Sequence, residues 1–255
     1  MQTDASPDER RKFILETLGR KGRLTTGDLA TAFGISEDSA RRDFRELAAE
    51  GLIQRVHGAA LPVSPAEQPF ANRYKISASP KARLAKEAAS MISSGHVVLF
   101  DGGTTNLAIA NKIPKSLPFT AITNSPQTAT ALVDHPHAEI VLLGGVFDKR
   151  SQMTVGASVL DAIEHINADI CFFGIHGIDP TAGLTTAHYD EAALKRAMIA
   201  ASSETIAVAT ADKIGTAAAY RIGPAGLLNT LIAEKELDPK ILRTLSESGV
   251  TVRLA

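Results

Sequence analysis

Three segments in the first sixty residues place apolar side chains at helical spacing, and each is bounded by residues that start or stop a helix. Pro7 and Glu9 follow Ser6 in the order of a capping box with proline at the first helical position. Asp28 stands three residues after Thr25, again in the reaching-back position of such a box. The pattern therefore predicts helices over residues 6–22, 25–34 and 36–51, each ended by a glycine.

Two short strands around a turn are predicted after the third helix. Residues 52–56 and 59–61 flank His57-Gly58, which is typical of a hairpin. Two helices joined by a glycine-containing turn, the second carrying arginines, outline a helix-turn-helix, and the hairpin would be its wing. On that wing, Arg55 would face the sugar-phosphate backbone or a minor groove.

Basic and hydroxyl side chains of these elements are the candidate DNA contacts. The full set is Thr25, Thr26, Ser36, Ser39, Arg41, Arg42, Arg45, Arg55 and His57. The alternative is a plain helical domain with a solvated charged face, because ten basic residues before Pro62 are matched by ten acidic ones. The consecutive order of capped helix, turn, arginine-bearing helix and wing favours DNA binding.

Four prolines without apolar periodicity between Pro62 and Pro80 predict a linker. Apolar strands then alternate with helical patterns: strands at 96–100, 119–123, 139–143, 170–175 and 205–209, and helices at 81–93, 125–133 and 190–201. We predict a DNA-binding domain at 7–62, a linker at 63–80 and an α/β domain at 81–255. The expected α/β fold class is a mostly parallel, Rossmann-like sheet plus a small N-terminal winged helix-turn-helix domain.

The residues after each predicted strand form the candidate ligand site, because open parallel sheets bind ligands at the carboxyl ends of their strands. The stretch D-G-G-T-T after the first strand offers bare amides and two hydroxyls to an anion. ATP and NAD are poor expectations, since both G-K-[ST] and G-x-G-x-x-G are missing there. The candidate ligand contacts in these turns are Asp101, Gly102, Gly103, Thr104, Thr105, Thr123, Asn124, Ser125, Gly144, Gly145, Arg150, His176 and Asp179.

Further candidates stand on the predicted helix 190–201 and beyond it. Asp190, Glu191 and Lys195 follow the turn G-L-T-T, which argues for a pocket wall. Glu191 and Lys195 equally fit a surface ion pair at i,i+4 spacing. Lys213 follows the last predicted strand and is either an anion contact or a solvated lysine.

Composition limits the remaining function classes. The net charge of −1 leaves any nucleic-acid contact to a local patch. The single Cys171 lies in an apolar run, which excludes a disulfide framework and fits a reducing cytoplasm. No stretch reaches the roughly 20 apolar residues of a spanning helix, so no membrane partner is expected. His135 and His137 fit a proline-containing turn better than a metal site, and we expect no metal or cofactor.

Residues 10–60 resemble the DNA-binding domain of DeoR-type repressors. The resemblance rests on D-L-A-T-A-F-G-I-S, on A-R-R-D-F-R-E-L-A-A-E-G-L-I-Q-R-V-H-G-A-A and on the preceding R-R-K-F-I-L-E-T-L-G-R-K-G. This chain departs from the family in the acidic start of its third helix, Glu37-Asp38, and in Ala59, where the family usually has glycine. The resemblance implies a DNA-reading third helix but does not carry over an operator sequence.

Residues 101–232 are similar to the DeoR effector domain, whose fold in turn resembles ribose-5-phosphate isomerase. The motifs are D-G-G-T-T, I-T-N-S, L-L-G-G, T-V-G, G-I-H-G-I-D, G-L-T-T and D-E-A-A-L-K-R-A-M-I. The resemblance implies repression of sugar or polyol catabolic genes, a phosphorylated sugar effector, a double-stranded DNA operator and a homodimer or homotetramer. The stretch 209–215 departs from A-D-S-S-K-F-G, with its aspartate displaced.

A sugar-phosphate isomerase is the main alternative. Such an enzyme needs carboxylates to shuttle a proton. His176 stands where the first aspartate would fall, and no K-G-G-G-like loop follows. An RNA-binding winged helix is a second alternative, which the scarcity of aromatic residues disfavours. The sequence therefore favours ligand sensing over catalysis, and no catalytic residue is assigned.

Overall fold

The computed structural model describes residues 6–63, Phe70, Arg73 and 78–255, except for the side chains of residues 20, 21 and 78. Most of the predicted linker lies outside these residues. The helices are α1 (Pro7–Lys21), α2 (Thr26–Phe33), α3 (Glu37–Ala49), α4 (Ala78–Ala89), α5 (Thr104–Ala110), α6 (Pro126–Leu132), α7 (Ala157–Glu164), α8 (Tyr189–Ala200) and α9 (Pro239–Glu247). The strands are β1 (Leu24–Thr25), β2 (Ile53–Val56), β3 (Ala59–Pro62), β4 (Val97–Phe100), β5 (Phe119–Thr123), β6 (Ala138–Leu142), β7 (Val146–Asp148), β8 (Met153–Val155), β9 (Ala168–Phe173), β10 (Gly177–Asp179), β11 (Gly183–Thr186), β12 (Ser202–Ala209), β13 (Tyr220–Gly223), β14 (Thr230–Ala233) and β15 (Thr251–Leu254).

The N-terminal helices begin at their predicted caps. The Ser6 and Thr25 side chains each accept from the backbone three residues on, and Glu9 and Asp28 complete the two capping boxes. The wing is also confirmed, as β2 and β3 pair antiparallel. The two-residue strand β1 was not predicted; it joins the other edge of β3 and makes the wing a three-stranded sheet.

The larger sheet has seven parallel strands in the order β15-β14-β12-β9-β4-β5-β6. The predicted α/β class is confirmed, and five of these strands lie within three residues of their predicted bounds. Because a parallel sheet is covered on both faces, its strands alternate between two cores. Val98 and Phe100 pack into one core and Leu99 into the other. Cys171 is fully buried there, and burial raises the pKa of its thiol.

The strand order reverses direction at β4. From β4 the chain proceeds outward to β5 and β6, and then crosses to β9, β12, β14 and β15 on the other side. The ends of β4 and β9 therefore flank a crevice of the kind in which open α/β sheets bind ligands. Two accessory antiparallel units stand apart from the sheet: the hairpin β7–β8, and β10–β11 with β13.

None of the helices in the described part of the chain is long and apolar enough to span a bilayer.

Candidate functional site

The third helix and the wing carry exposed arginines whose charges are not used within the fold. Among the described residues, no carboxylate lies within 4.0 Å of Arg42, Arg45 or Arg55. All three side chains are exposed, as is His57 at the wing turn. The opposite face of α3 is buried through Ala40, Phe44 and Leu47, so packing fixes the direction in which the arginines project.

Arg41 differs from its neighbours because it is held by acids of its own helix. Its guanidinium nitrogens lie 2.7 Å from the carboxylates of Glu37 and Asp38. The predicted role of Arg41 as an equal member of the DNA-contacting row is therefore weakened, because part of its charge is neutralised locally.

The predicted hydroxyl contacts serve mainly to cap and join elements. Thr25 and Ser36 accept the backbone N–H groups that start α2 and α3, and Ser39 Oγ lies 3.0 Å from Ser36 Oγ. Thr26 is buried, and its amide donates to the Gly58 carbonyl at 3.0 Å, which ties α2 to the wing turn. These contacts set the position of the wing relative to α3.

Salt bridges from α1 hold the arginine-bearing helix α3 in place. Arg10 Nε and Nη2 donate to the two Asp43 oxygens at 2.7 and 3.0 Å, and Arg11 pairs with Glu50. The hydrogen bond and charge of Asp43 raise the pKa of Arg10 against the effect of burial. Asp43 is therefore a structural residue, which explains why an acid follows the two arginines of the R-R-D triplet.

A cavity lies at the crevice between the ends of β4 and β9. Residues from the turns after β4, β9 and β12, from α8 and from the hairpin β7–β8 form its walls. They are Arg73, Gly102, Gly103, Thr104, Thr105, Asn106, Ser151, Met153, Phe173, Gly174, Ile175, His176, Glu191, Lys195, Val208 and Lys213. The walls enclose about 30 Å³ of free space in this structure, and the crevice opens to solvent at its mouth.

A buried ion pair forms the floor of this crevice. Lys195 from α8 contacts Asp101 and donates to the Gly174 carbonyl at 2.7 Å. Asp101 also accepts from the amides of Gly102 and Gly174, at 2.8 and 2.9 Å. A Cβ at Gly174 would lie 2.8 Å from Asp101 Oδ2, so this close approach requires glycine. Asp101 thus positions Lys195 and both turns rather than lining the cavity.

Glu191 and His176 form a second polar cluster on the cavity wall. Thr186 Oγ1 donates to Glu191 at 2.7 Å and lies 3.0 Å from His176 Nδ1, which assigns the imidazole proton to Nδ1. Burial lowers the pKa of His176 to about 3, so the ring is neutral at pH 7. Burial alone would raise the pKa of Glu191, but the Lys195 charge and hydrogen bonds from Thr186 and Arg150 lower it to about 2.

Two further cations face the same space. Burial, together with the charge of Arg73, lowers the pKa of Lys213 to about 8. No carboxylate in the described part of the chain lies within 4.0 Å of the Lys213 ammonium. Asp101 and Glu191 are already held by Lys195 and Arg150, so neither carboxylate is left to neutralise Lys213. Its chemistry suits an anion with several acceptor oxygens.

Several predicted ligand residues lie outside this cavity. Gly144 and Gly145 follow β6, which is two strands away from β4 in the sheet. At the usual strand spacing they lie about 10 Å from the residues that follow β4. The Thr123, Asn124 and Ser125 side chains are buried and contribute local hydrogen bonds such as Thr123 Oγ1 to the Phe100 carbonyl, at 2.9 Å. The structure does not bring these positions to the cavity wall, and direct ligand contact there stays a prediction.

Asp179 and Asp190 also lie away from the cavity. Asp179 sits at the tip of the β10–β11 hairpin, where it accepts from the amides of Thr181 and Ala182 and faces Arg23 at 3.5 Å. β10 carries it away from the sheet edge. Asp190 is exposed in the first turn of α8, because the adjacent Glu191 takes the inward-facing position. Arg150 reaches the site indirectly, 2.9 Å from Glu191.

Arg73, Met153 and Asn106 are cavity residues that the sequence analysis did not single out. Arg73 lies in the stretch without periodicity, and Met153 packs over Gly102 from the separate β7–β8 hairpin. Asn106 donates to the carbonyls of Asp101 and Phe172, at 2.8 and 2.9 Å, and so joins the diverging ends of β4 and β9. Its position five residues after Asp101, directly after the D-G-G-T-T stretch, was the available clue.

Two family profiles match the chain over most of its length. One describes the DeoR-like helix-turn-helix domain, at residues 10–66, and the other the DeoR C terminal sensor domain, at residues 76–235. The chain belongs to the DeoR family. This family member is 32% identical to the HTH-type transcriptional regulator GlpR of Haloferax volcanii, over 96% of this chain and 97% of that one. It is 29% identical to the glycerol-3-phosphate regulon repressor of Escherichia coli, over 96% and 98%.

Membership in this family makes the chain a DNA-binding transcription regulator rather than an enzyme. Among solved structures, ribose 5-phosphate isomerase A of Methanocaldococcus jannaschii is 15% identical, with 54% of each chain covered and a TM-score of 0.40. A likeness at that level does not indicate a shared activity.

Proposed function

We propose that this DeoR-family chain represses genes of carbohydrate or polyol breakdown and leaves its operator when a phosphorylated sugar or polyol occupies the cavity. One observation carries the proposal: three exposed arginines with no acidic partner among the described residues and a cationic cavity at a strand switch point occur in the same chain. The relative named for a glycerol-3-phosphate regulon supports a phosphate ester as effector.

The DNA-binding half of the proposal assigns the readout to Arg42 and Arg45 on α3 and to Arg55 on the wing. Replacing Arg42 by alanine should weaken operator binding about 5- to 150-fold, because a bidentate base contact contributes about 1–3 kcal/mol of discrimination. The measurement is a fluorescence-anisotropy titration with the promoter fragment at several salt concentrations.

Arg243→Ala is the matched control for Arg42→Ala. It removes the same charge from an exposed position on α9, where Arg243 pairs only with Glu247 among the described residues. Operator affinity should be unchanged in this variant. Equal affinity of the Arg42→Ala chain and the wild type across all salt concentrations would remove Arg42 from the DNA interface.

The effector half of the proposal rests on charge and on donors. Lys213 and Arg73 supply positive charge, and the bare amides and hydroxyls of Gly103, Thr104 and Thr105 supply further donors on the facing turn. Gly103 adopts a φ of 122°, which other residues rarely tolerate. Glu191 and the neutral His176 provide the acceptors that sugar hydroxyls need.

A panel of phosphorylated sugars and polyols, including glycerol 3-phosphate, should contain at least one compound that raises the melting temperature. At a hundredfold excess over its Kd, a ligand stabilises by about 2.7 kcal/mol, or roughly 5–10 °C for a domain of this size. Each compound is compared with its unphosphorylated parent, which should give no shift. Equal shifts from ester and parent would contradict the phosphate requirement.

The proposed assembly is a homodimer or homotetramer on a repeated operator. Exposed apolar side chains on the edge strand β6 and the adjacent β7, namely Val141, Leu142, Val146 and Phe147, support self-association. The operator would place the chain with the chromosome, which in a bacterium is the cytoplasm.

A further inference from the structure

Arg73 lies between the two parts of the chain but lines the ligand cavity. It comes ten residues after Val63, which directly follows the last wing strand, and five residues before α4. It shares the cavity wall with Gly102, Thr104 and Lys213. The connection between the wing and the sheet therefore contributes a guanidinium to the ligand site.

The backbone around Arg73 is tied to the α/β domain. Lys81, nearly fully buried on α4, donates to the Arg73 carbonyl at 2.7 Å. The amide of Phe70 donates to the Arg150 carbonyl at 3.3 Å, and the Arg73 guanidinium lies 5.8 Å from the centroid of the buried Phe70 ring. Since Arg150 also binds Glu191 of the cavity wall, this connection and the site share one network.

Arg73 and Lys213 are like charges that face one space. Burial lowers the pKa of both groups, and the Arg73 charge is the second cause at Lys213. A phosphate dianion between them would relieve this repulsion and would accept the forked donors of arginine. The two cations therefore match a phosphate ester better than a neutral sugar or a carboxylate on a short chain.

The segment that carries Lys213 meets the end of the wing. Val63, next to the end of β3, forms a parallel bridge with Ala217. Ala217 is four residues beyond Lys213, and the Thr216 hydroxyl between them donates to the Lys213 carbonyl at 2.9 Å. A shift of Lys213 towards a bound anion would therefore be passed through Ala217 to the residue that follows the wing.

We propose that Arg73 binds the phosphate of the effector together with Lys213, and that this contact transmits occupancy of the cavity to the wing. The inference rests on the proposed function and adds a ligand residue from outside the sheet. Arg73 acts on the operator only through the ligand, so its removal leaves unliganded DNA binding intact.

The experiment compares wild type, Arg73→Ala and Arg73→Lys as full-length chains, with Arg243→Ala as the control for lost charge. Calorimetric titration with inorganic phosphate and with glycerol 3-phosphate gives the ligand affinity. Anisotropy with the promoter fragment gives the operator affinity, with and without saturating ester. Arg73→Ala should bind both anions at least about tenfold more weakly, because a charge-assisted hydrogen bond contributes about 1.5–3 kcal/mol.

The expected operator result is that Arg73→Ala binds DNA like the wild type but no longer responds to saturating ester. Wild-type ester affinity in Arg73→Ala, or a wild-type operator response at saturation, overturns the inference. Should Arg73→Ala unfold, Arg73→Lys decides, because it keeps the charge but not the planar fork and should bind several-fold more weakly. If the wild type binds no phosphate ester at all, the proposed effector class fails and the phosphate contact of Arg73 with it, whereas an unchanged Arg73→Ala chain overturns the role of Arg73 alone.

Discussion

Replacing Lys195 by methionine should lower the free energy of unfolding of the α/β domain by about 3–5 kcal/mol, because the Asp101 carboxylate would stay buried without its cation. Asp101 is fully buried and Lys195 is 3% exposed, so water cannot replace the lost partner. Urea unfolding at pH 7, followed by circular dichroism, measures the difference.

The double variant Asp101→Asn, Lys195→Met is the control for this prediction. It removes both charges and should be more stable than Lys195→Met alone, because the uncompensated carboxylate is gone. A Lys195→Met chain with the wild-type urea midpoint would mean that the pair contributes nothing to folding. Substitutions at these two positions are therefore unsuited to testing ligand contact, because they also destabilise the fold around the crevice.

Acid should destabilise the domain from about pH 6.5 downwards through His176. Its folded pKa is about 3 and its ordinary value is 6.5. Between these two pKa values His176 is protonated in the unfolded chain but not in the folded chain. The free energy of unfolding therefore falls as the pH decreases across that window. The loss by pH 3 is on the order of 4 kcal/mol, and urea midpoints at several pH values measure it.

The variant His176→Gln separates this effect from other titrations. Glutamine can still donate to Thr186 but takes up no proton, so the slope between pH 6.5 and 4.5 should flatten. Below pH 4.5 both chains should lose stability further, because Glu191 has a folded pKa of about 2 and an ordinary value of 4.5. Identical pH profiles for the two chains would show that His176 is not the acid-labile group.

Local chemistry was predictable from sequence, and strand neighbours were not. The caps at Ser6, Thr25 and Ser36 form with their own next residues, so a short window contains all the information. The turns after the strands do lie at one sheet edge. Gly144 is nevertheless two strands from Gly102, because hydrophobic periodicity does not state which strands are adjacent.

Partners distant in sequence explain the remaining differences. Asp101 and Lys195 are 94 positions apart, and their pairing gives Asp101 a structural role that its sequence neighbours do not reveal. Arg41 is the opposite case. Its acidic partners lie three and four residues before it, so the helical repeat alone predicts that the side chains meet. Arg73 could not be found, because a stretch without periodicity gives no sign of where it packs.

The hairpin β7–β8 lies outside the seven-stranded sheet and carries two residues of the proposed ligand cavity. Its two strands pair only with each other, and it presents Ser151 and Met153 to the cavity while the ion pair beneath belongs to the sheet and α8. Random libraries at these two positions should retune a reporter strain toward new metabolites while leaving the operator code as it is. The hairpin is therefore the segment to vary when biosensors for other metabolites are built from this protein.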